Sequence, residues 1–270
     1  MIEQHINEAD LRNKILSLFE YRLFPQLMLK STESGEHISQ FTEDLVQLQA
    51  AIYYLDAHLE AHWQTDEAIL SWHWRNIIKH LNIFGIDNKA SATYLNHIKK
   101  YEKHELDLRK GKTPLRLDME YFYFYKSCDV KLLRRLIYEK YKLSPEYGQL
   151  SDWRYYDLVT EVNDDVEDLY EDLDFINGNR FLISILHHGK QKTKVIFDQF
   201  LQIIEDKSIE KYQNTQGKMK EEIYVQTRHQ ISETRNLLDL RLESVTLESL
   251  HRSELSKYMI SKYIAFNIIK

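Results

Sequence analysis

Between Tyr155 and Leu186 the chain carries many carboxylates at regular spacing on a clear apolar backing. Residues three and four apart on a helix share a face, so Asp157, Glu161, Asp164, Asp168 and Glu171 form one acidic stripe, with Leu158, Val162, Val166, Leu169 and Leu173 as the neighbouring apolar one. Carboxylates this close repel one another unless solvent, protonation or a cation offsets them. A solvated acidic face on a surface helix is one reading, and a bound divalent cation is the other. The run Asp164-Asp165-Val166-Glu167-Asp168 has the DDxxD spacing, and Gly178-Asn179-Arg180-Phe181-Leu182 follows with a helix stop and a cation. Carboxylates, a turn and then a basic group is a layout suited to holding metal ions against a diphosphate.

A smaller pair, Asp56 and Glu60, stands one turn apart beside the apolar face of Phe41, Leu45, Leu48, Ile52, Leu55 and Leu59. Two such clusters on different helices can face each other across a bundle and hold metal ions in its core. A di-iron centre of that kind needs Glu-x-x-His pairs; neither segment has one, and His58 and His62 read as surface or pocket histidines. All-oxygen ligation suits Mg²⁺, which keeps waters and binds through one or two carboxylates together with substrate phosphates. The expected ligand is therefore a phosphate-bearing molecule with an apolar end.

The elements that must position these groups are helices. Seven Gly and three Pro in 270 residues, with 43% hydrophobic and 29% charged residues, favour long helices with short connections and one all-α domain over residues 1–270. The spacing predicts a helix over 6–30 with a kink or break at Pro25, and a long amphipathic helix through Asp56. An apolar, aromatic segment from Trp63 to Ile83 and a polar helix over 87–109 come next, and Lys110-Gly111-Lys112-Thr113-Pro114 is the clearest turn. Met119 to Tyr141 follows, with aromatic residues crowded at Tyr121 to Tyr125, closed by Ser144-Pro145. From Lys190 the pattern is helical to the end apart from a break near Asn214 to Gly217, and the tail Tyr258 to Lys270 is apolar enough to dock on the body.

A net charge of −6 argues against a nucleic-acid partner. The single cysteine, Cys128, cannot form an intramolecular disulfide and fits a reducing cytoplasm. The start MIEQHINEADLRNK lacks the basic and apolar runs of a signal peptide, and no window approaches a membrane span.

Taken together, these residues resemble the class I isoprenoid synthases, which include the trans-prenyl diphosphate synthases and the squalene and phytoene synthases. The resemblance covers roughly residues 50 to 185. Asp164-Asp165-Val166-Glu167-Asp168 looks like the second aspartate-rich motif of that superfamily, Glu161 stands where prenyl synthases often carry Gln, and Lys126-Ser127 resembles their Lys-Thr pair. Asp174 and Gly178 to Leu182 are similar to D-x-x-x-G-K-x-T-L-P, with Asn179 in place of the lysine and Ile183 in place of the proline. Asp164, Asp168, Glu171 and Asp172 equally fit the squalene and phytoene pattern D-x-x-x-D-x-x-E-D, with a displaced arginine after Gly178. The first motif is reduced to the skeleton of Asp56 and Glu60, without the adjacent aspartates or the Arg-Arg of elongating synthases.

The resemblance implies a multi-helix bundle with a central cavity, in which Asp56, Glu60, Asp164, Asp168, Glu171 and Asp172 bind Mg²⁺ and a prenyl diphosphate. Lys126 and Arg180 are then expected to assist departure of the diphosphate, with Tyr53, Phe122, Phe124 and Glu161 against the substrate and a homodimer as the assembly. The alternative is a non-catalytic helical binding or scaffold protein that keeps the fold with a degenerate metal site.

Overall fold

The computed structural model describes residues 7–29, 35–85, 88–143, 147–176 and 178–250, and among them every regular element is helical and no strand occurs. In chain order the helices are α1 (Glu8–Tyr21), α2 (Phe24–Met28), α3 (Gly35–Ala61), α4 (Glu67–Asn82), α5 (Asn88–Leu108), α6 (Met119–Lys126), α7 (Cys128–Tyr141), α8 (Arg154–Glu167), α9 (Arg180–His188), α10 (Lys190–Asn214), α11 (Lys220–Ser244) and α12 (Leu247–Leu250). The expected all-α class is thus what forms. Ser144-Pro145 and the tail Tyr258 to Lys270 lie outside the described residues. Among the described residues no helix is long and apolar enough to cross a membrane.

Two large apolar clusters make most of the core, and they meet at α8. One is built from α1 to α5 and α7 and includes Trp153 and Tyr156. The other gathers α6 and α8 to α11 around Leu158, Val162, Val166 and Phe197. Tyr101 of α5 packs against both. The apolar stripe read from the sequence is buried throughout, with Val162, Val166 and Leu169 fully enclosed. Helix α8 packs on α6, α9, α10 and α11, so it lies inside the bundle rather than on its surface.

The break at the first proline shapes the site. Pro25 has no N–H, and its ring would collide with the carbonyl four residues back, so α1 cannot run through it. Leu23 turns the chain in the left-handed region at φ 61°, and Pro25 sits in the first turn of α2, where a missing N–H costs nothing. The Tyr21 carbonyl that Pro25 cannot serve accepts from the Tyr156 hydroxyl on α8. The Arg22 carbonyl accepts from Arg134 of α7 at 3.4 Å. Arg22 is thereby fixed at the break with its side chain directed onto α8.

The remaining boundaries differ from expectation in two places. Helix α8 ends at Glu167, so Asp168 caps it, and Glu171 and Asp172 lie in the turn and short 3₁₀ segment that follow rather than in the same helix. The aromatic segment from Met119 to Tyr141 divides at Ser127 into α6 and α7, leaving Lys126 in the last turn of α6, where a cation interacts favourably with the free carbonyls. The breaks at Lys110 to Pro114 and at Asn214 to Gly217 fall where the turn residues put them.

Candidate functional site

The acidic stripe on α8 is buried and paired. Asp157 is 2% exposed and accepts from Arg134 Nη1 at 2.6 and 2.5 Å. Glu161, 5% exposed, accepts from Arg22 Nη2 at 2.8 Å, and the same nitrogen reaches Asp164 Oδ2 at 3.1 Å. Arg22 Nη1 also donates to Thr160. The repulsion that pointed to a metal is therefore offset in part by two buried guanidiniums. A solvated surface face does not describe this helix.

Asp165 organises the far side of α8. Its carboxylate accepts from the Tyr123 hydroxyl at 2.8 Å, from Lys126 Nζ, and from the backbone N–H of Arg180 at 2.9 Å. Asn179, the N-cap of α9, accepts from Leu182 N at 2.8 Å and donates to the Asp165 carbonyl at 2.7 Å and to Asp172 Oδ2 at 2.6 Å. One amide side chain thus starts a helix and ties the turn after α8 back onto it. Asn179 therefore carries a structural role of its own.

Asp56 of the first acidic pair lies within electrostatic reach of the same cation. Asp56 on α3 feels the positive charges of Lys126 and Lys14, and Asp164, Asp165 and Asp172 also act on Lys126. Burial alone would lower the Lys126 pKa, but Asp165, Glu161 and Asp172 more than reverse this and hold the ammonium charged. Tyr53, one turn before Asp56, is raised by burial and by the charges of Asp129, Asp164 and Asp56. Asp56 and the α8 carboxylates therefore share one electrostatic neighbourhood. Burial raises Asp56, Glu161, Asp164 and Asp168 above the ordinary carboxylate range, and it pushes Asp172 up to about 7.

Other expected residues are less alike in their placement. Glu60 gives its carbonyl to Ile176 N at 2.9 Å, joining the end of α3 to the turn beyond the acidic helix. Glu171 is exposed at the surface. The Arg180 guanidinium is directed away from the carboxylates: Nη1 donates to the Pro114 carbonyl at 2.8 Å, and the group lies 5.6 Å from the Phe122 ring centre. Phe122 is buried beside Tyr101, whereas Phe124 is covered by Lys131 at 3.3 Å and Arg154 at 5.2 Å. Tyr53 and Phe122 therefore border the carboxylates or Arg180, while Phe124 serves a different face.

Sequence reasoning passed over Arg22, Arg134 and Glu105. Arg22 stands inside the apolar run Tyr21 to Met28, and Arg134 occupies a core-facing position between Val130 and Ile137. An arginine on an apolar face is a signal that some distant carboxylate is buried with it. Glu105 on α5 is 3% exposed, and burial followed by the Asp56 charge pushes it up to about 8. It lines a shallow cleft with Leu108, Pro114, Phe122 and Gly178. A Cβ on Gly178 would stand 2.5 Å from Glu105 Oε1, so any other residue there would have to displace the Glu105 carboxyl.

These shifts set a pH window. A carboxyl raised in the folded state stabilises it fully below the unfolded pKa and loses that contribution as pH rises through the folded value. Asp172 and Glu105, raised from 3.8 and 4.5 to about 7 and about 8, thus withdraw stability up to pH 8. Half-buried His58 and His104 and buried His73 are lowered by burial, so their opposing gain fades as pH rises past the free value of 6.5. Lys131, lowered by burial to about 8, contributes only above that. The unfolding free energy from urea titrations between pH 6.5 and 8 should therefore fall, by on the order of 1–2 kcal/mol, and the midpoint with it. Glu105→Gln should flatten the slope, and a midpoint that rises across the window would contradict the assignment.

Among the described residues no three His, Cys, Asp or Glu side chains converge closely enough to hold a metal ion unaided. Pairs remain, Asp164 with Asp168 and Asp56 with Glu60, each one turn apart on or at the end of a helix. Comparison with protein-family models, with curated proteins and with solved structures finds no match.

Proposed function

We propose that this chain is a Mg²⁺-dependent enzyme of the class I isoprenoid synthase type, acting on a prenyl diphosphate by condensation, elongation or cyclisation. The observation that carries this is the approach of carboxylates from α3 and from α8 with its following turn to one half-buried cation, Lys126. Their oxygen donors fit Mg²⁺, which binds through one or two carboxylates and completes its shell with water and phosphate oxygens. Asp164 with Asp168 would hold one ion and Asp56 with Glu60 another, each completed by water and diphosphate oxygens. Bound there, Mg²⁺ supplies Lewis-acid neutralisation of the departing diphosphate.

The chain's own groups do the rest. Lys126 donates a charge-assisted hydrogen bond to a diphosphate oxygen, while Tyr123 and the Arg180 N–H keep Asp165 in place. Arg180 acts through Phe122, whose ring it covers, rather than on the diphosphate itself. Tyr53 and Phe122 would line the apolar cavity that this reading requires, where their π faces would favour the allylic cation left when the carbon–oxygen bond breaks.

A second reading, a non-catalytic helical protein, is favoured by the saturation of the stripe: Arg22 and Arg134 already neutralise carboxylates that a metal would otherwise serve. The two readings separate in a melting experiment. Mg²⁺ with inorganic diphosphate at millimolar concentrations should raise the melting temperature of an enzyme by about 5 °C or more once the ligand exceeds its Kd roughly a hundredfold. No shift would favour the scaffold.

A further inference from the structure

The outer side of α4 is neither core nor part of the carboxylate site. Ile69, Trp72 and Ile83 lie along one line of that helix and are 44%, 55% and 57% exposed. Arg75 and Lys79 stand between them, both exposed, and neither forms an ion pair with a carboxylate among the described residues. The opposite side of α4 is anchored through Trp74, which donates to Glu102 of α5 at 2.9 Å and carries Lys99 5.1 Å above its ring.

Charge is distributed unevenly along the stretch that carries α4 and α5, where Lys110, Lys112 and Arg116 are paired with Asp107 while Arg75 and Lys79 stand on the exposed α4 face. Residues 67–116 hold ten Lys and Arg against five Asp and Glu, in a chain whose net charge is −6. A basic segment in an acidic protein selects an anionic partner. Two aliphatic side chains flanking a tryptophan are not the pattern of a nucleic-acid surface, where aromatic groups stack on bases between cations. Lysine is depleted from protein–protein interfaces. Tryptophan at headgroup depth, aliphatic groups entering the acyl boundary and Lys and Arg reaching phosphates are what a bilayer surface accepts.

We infer that the α4 face, through Ile69, Trp72 and Ile83 with Arg75 and Lys79, docks this protein on an anionic membrane surface. The attachment is peripheral and reversible, with α4 lying in the plane of the interface. It is independent of the diphosphate reading and needs no substrate.

The test is co-sedimentation of the full chain with phosphatidylcholine vesicles containing about 30 mol% phosphatidylserine, beside vesicles of phosphatidylcholine alone. Binding is expected only to the anionic vesicles, weakening as salt is raised from about 0.1 to 0.5 M. Arg75→Glu with Lys79→Glu should lower partitioning at least about tenfold, and Trp72→Ser should lower it severalfold. All these positions are exposed, so circular dichroism should show an unchanged helix content. Tryptophan emission should shift to the blue on anionic vesicles and keep its position in Trp72→Phe. Absence of binding to the anionic vesicles, equal binding to neutral ones, or full binding by Arg75→Glu/Lys79→Glu or Trp72→Ser overturns the inference. Capture of single-stranded nucleic acid in place of the vesicles overturns it as well.

Discussion

Arg134→Ala should cost about 3–5 kcal/mol of folding stability, the amount associated with leaving one partner of a buried ion pair uncompensated. Arg134 is 1% exposed and Asp157 2%, and two hydrogen bonds of 2.6 and 2.5 Å join them. Its guanidinium also lies 4.4 Å from the Trp153 ring centre and 5.4 Å from that of Phe24, so alanine removes packing as well as charge. Against a typical total of about 5–15 kcal/mol, such a loss brings the protein close to unfolding at room temperature. The double variant Arg134→Met/Asp157→Leu should recover most of it, because a well-packed apolar pair often equals a buried ion pair. Urea denaturation of the three proteins decides. A single-variant loss below about 1 kcal/mol would mean that water or another group reaches Asp157.

Asp164→Ala and Asp168→Ala should have the opposite profile, intact folding with activity lost. Asp164 keeps a 31% exposed side chain, and removing it leaves Arg22 bonded to Glu161 at 2.8 Å. Burial raises the carboxyls of both aspartates, so the folded metal-free protein gains little from their charge. Relief of like-charge repulsion one turn apart is worth roughly 0.2–0.5 kcal/mol, and the variants should be as stable as the parent or slightly more so. Diphosphate release should fall at least ~100-fold, the scale seen when one preorganised stabilising group is removed from a reacting centre. Mg²⁺ with diphosphate should no longer raise their melting temperatures. Full turnover in both variants would reduce the stripe to a structural feature.

The parts of the fold legible in the sequence are those fixed by short-range chemistry. Pro25 dictates the break between α1 and α2, Lys110 to Pro114 forms a turn, and Leu158, Val162 and Val166 face inward because their spacing matches the helix. The cations that satisfy the stripe were not legible in that way. Glu161 meets Arg22 across 139 positions of sequence, and only the folding of the α1–α2 break against α8 brings them together. Local spacing finds carboxylates but not their counter-ions. The direction of Arg180 was hidden for a related reason: its backbone N–H is committed to Asp165, which leaves the guanidinium to find Pro114 on the other side. Similarly, the end of α8 at Glu167 is invisible to a periodicity that continues through Leu169 and Leu173.

The central claim is that the carboxylates gathered around Lys126 serve a Mg²⁺-assisted departure of diphosphate. Incubation with radiolabelled prenyl diphosphates of several chain lengths, with and without Mg²⁺, tests it most directly. The expected result is release of inorganic diphosphate and a labelled apolar product from at least one chain length, dependent on Mg²⁺ and lost in Asp164→Ala. Intact substrate at every length with Mg²⁺ present, from protein shown to be folded, would contradict it.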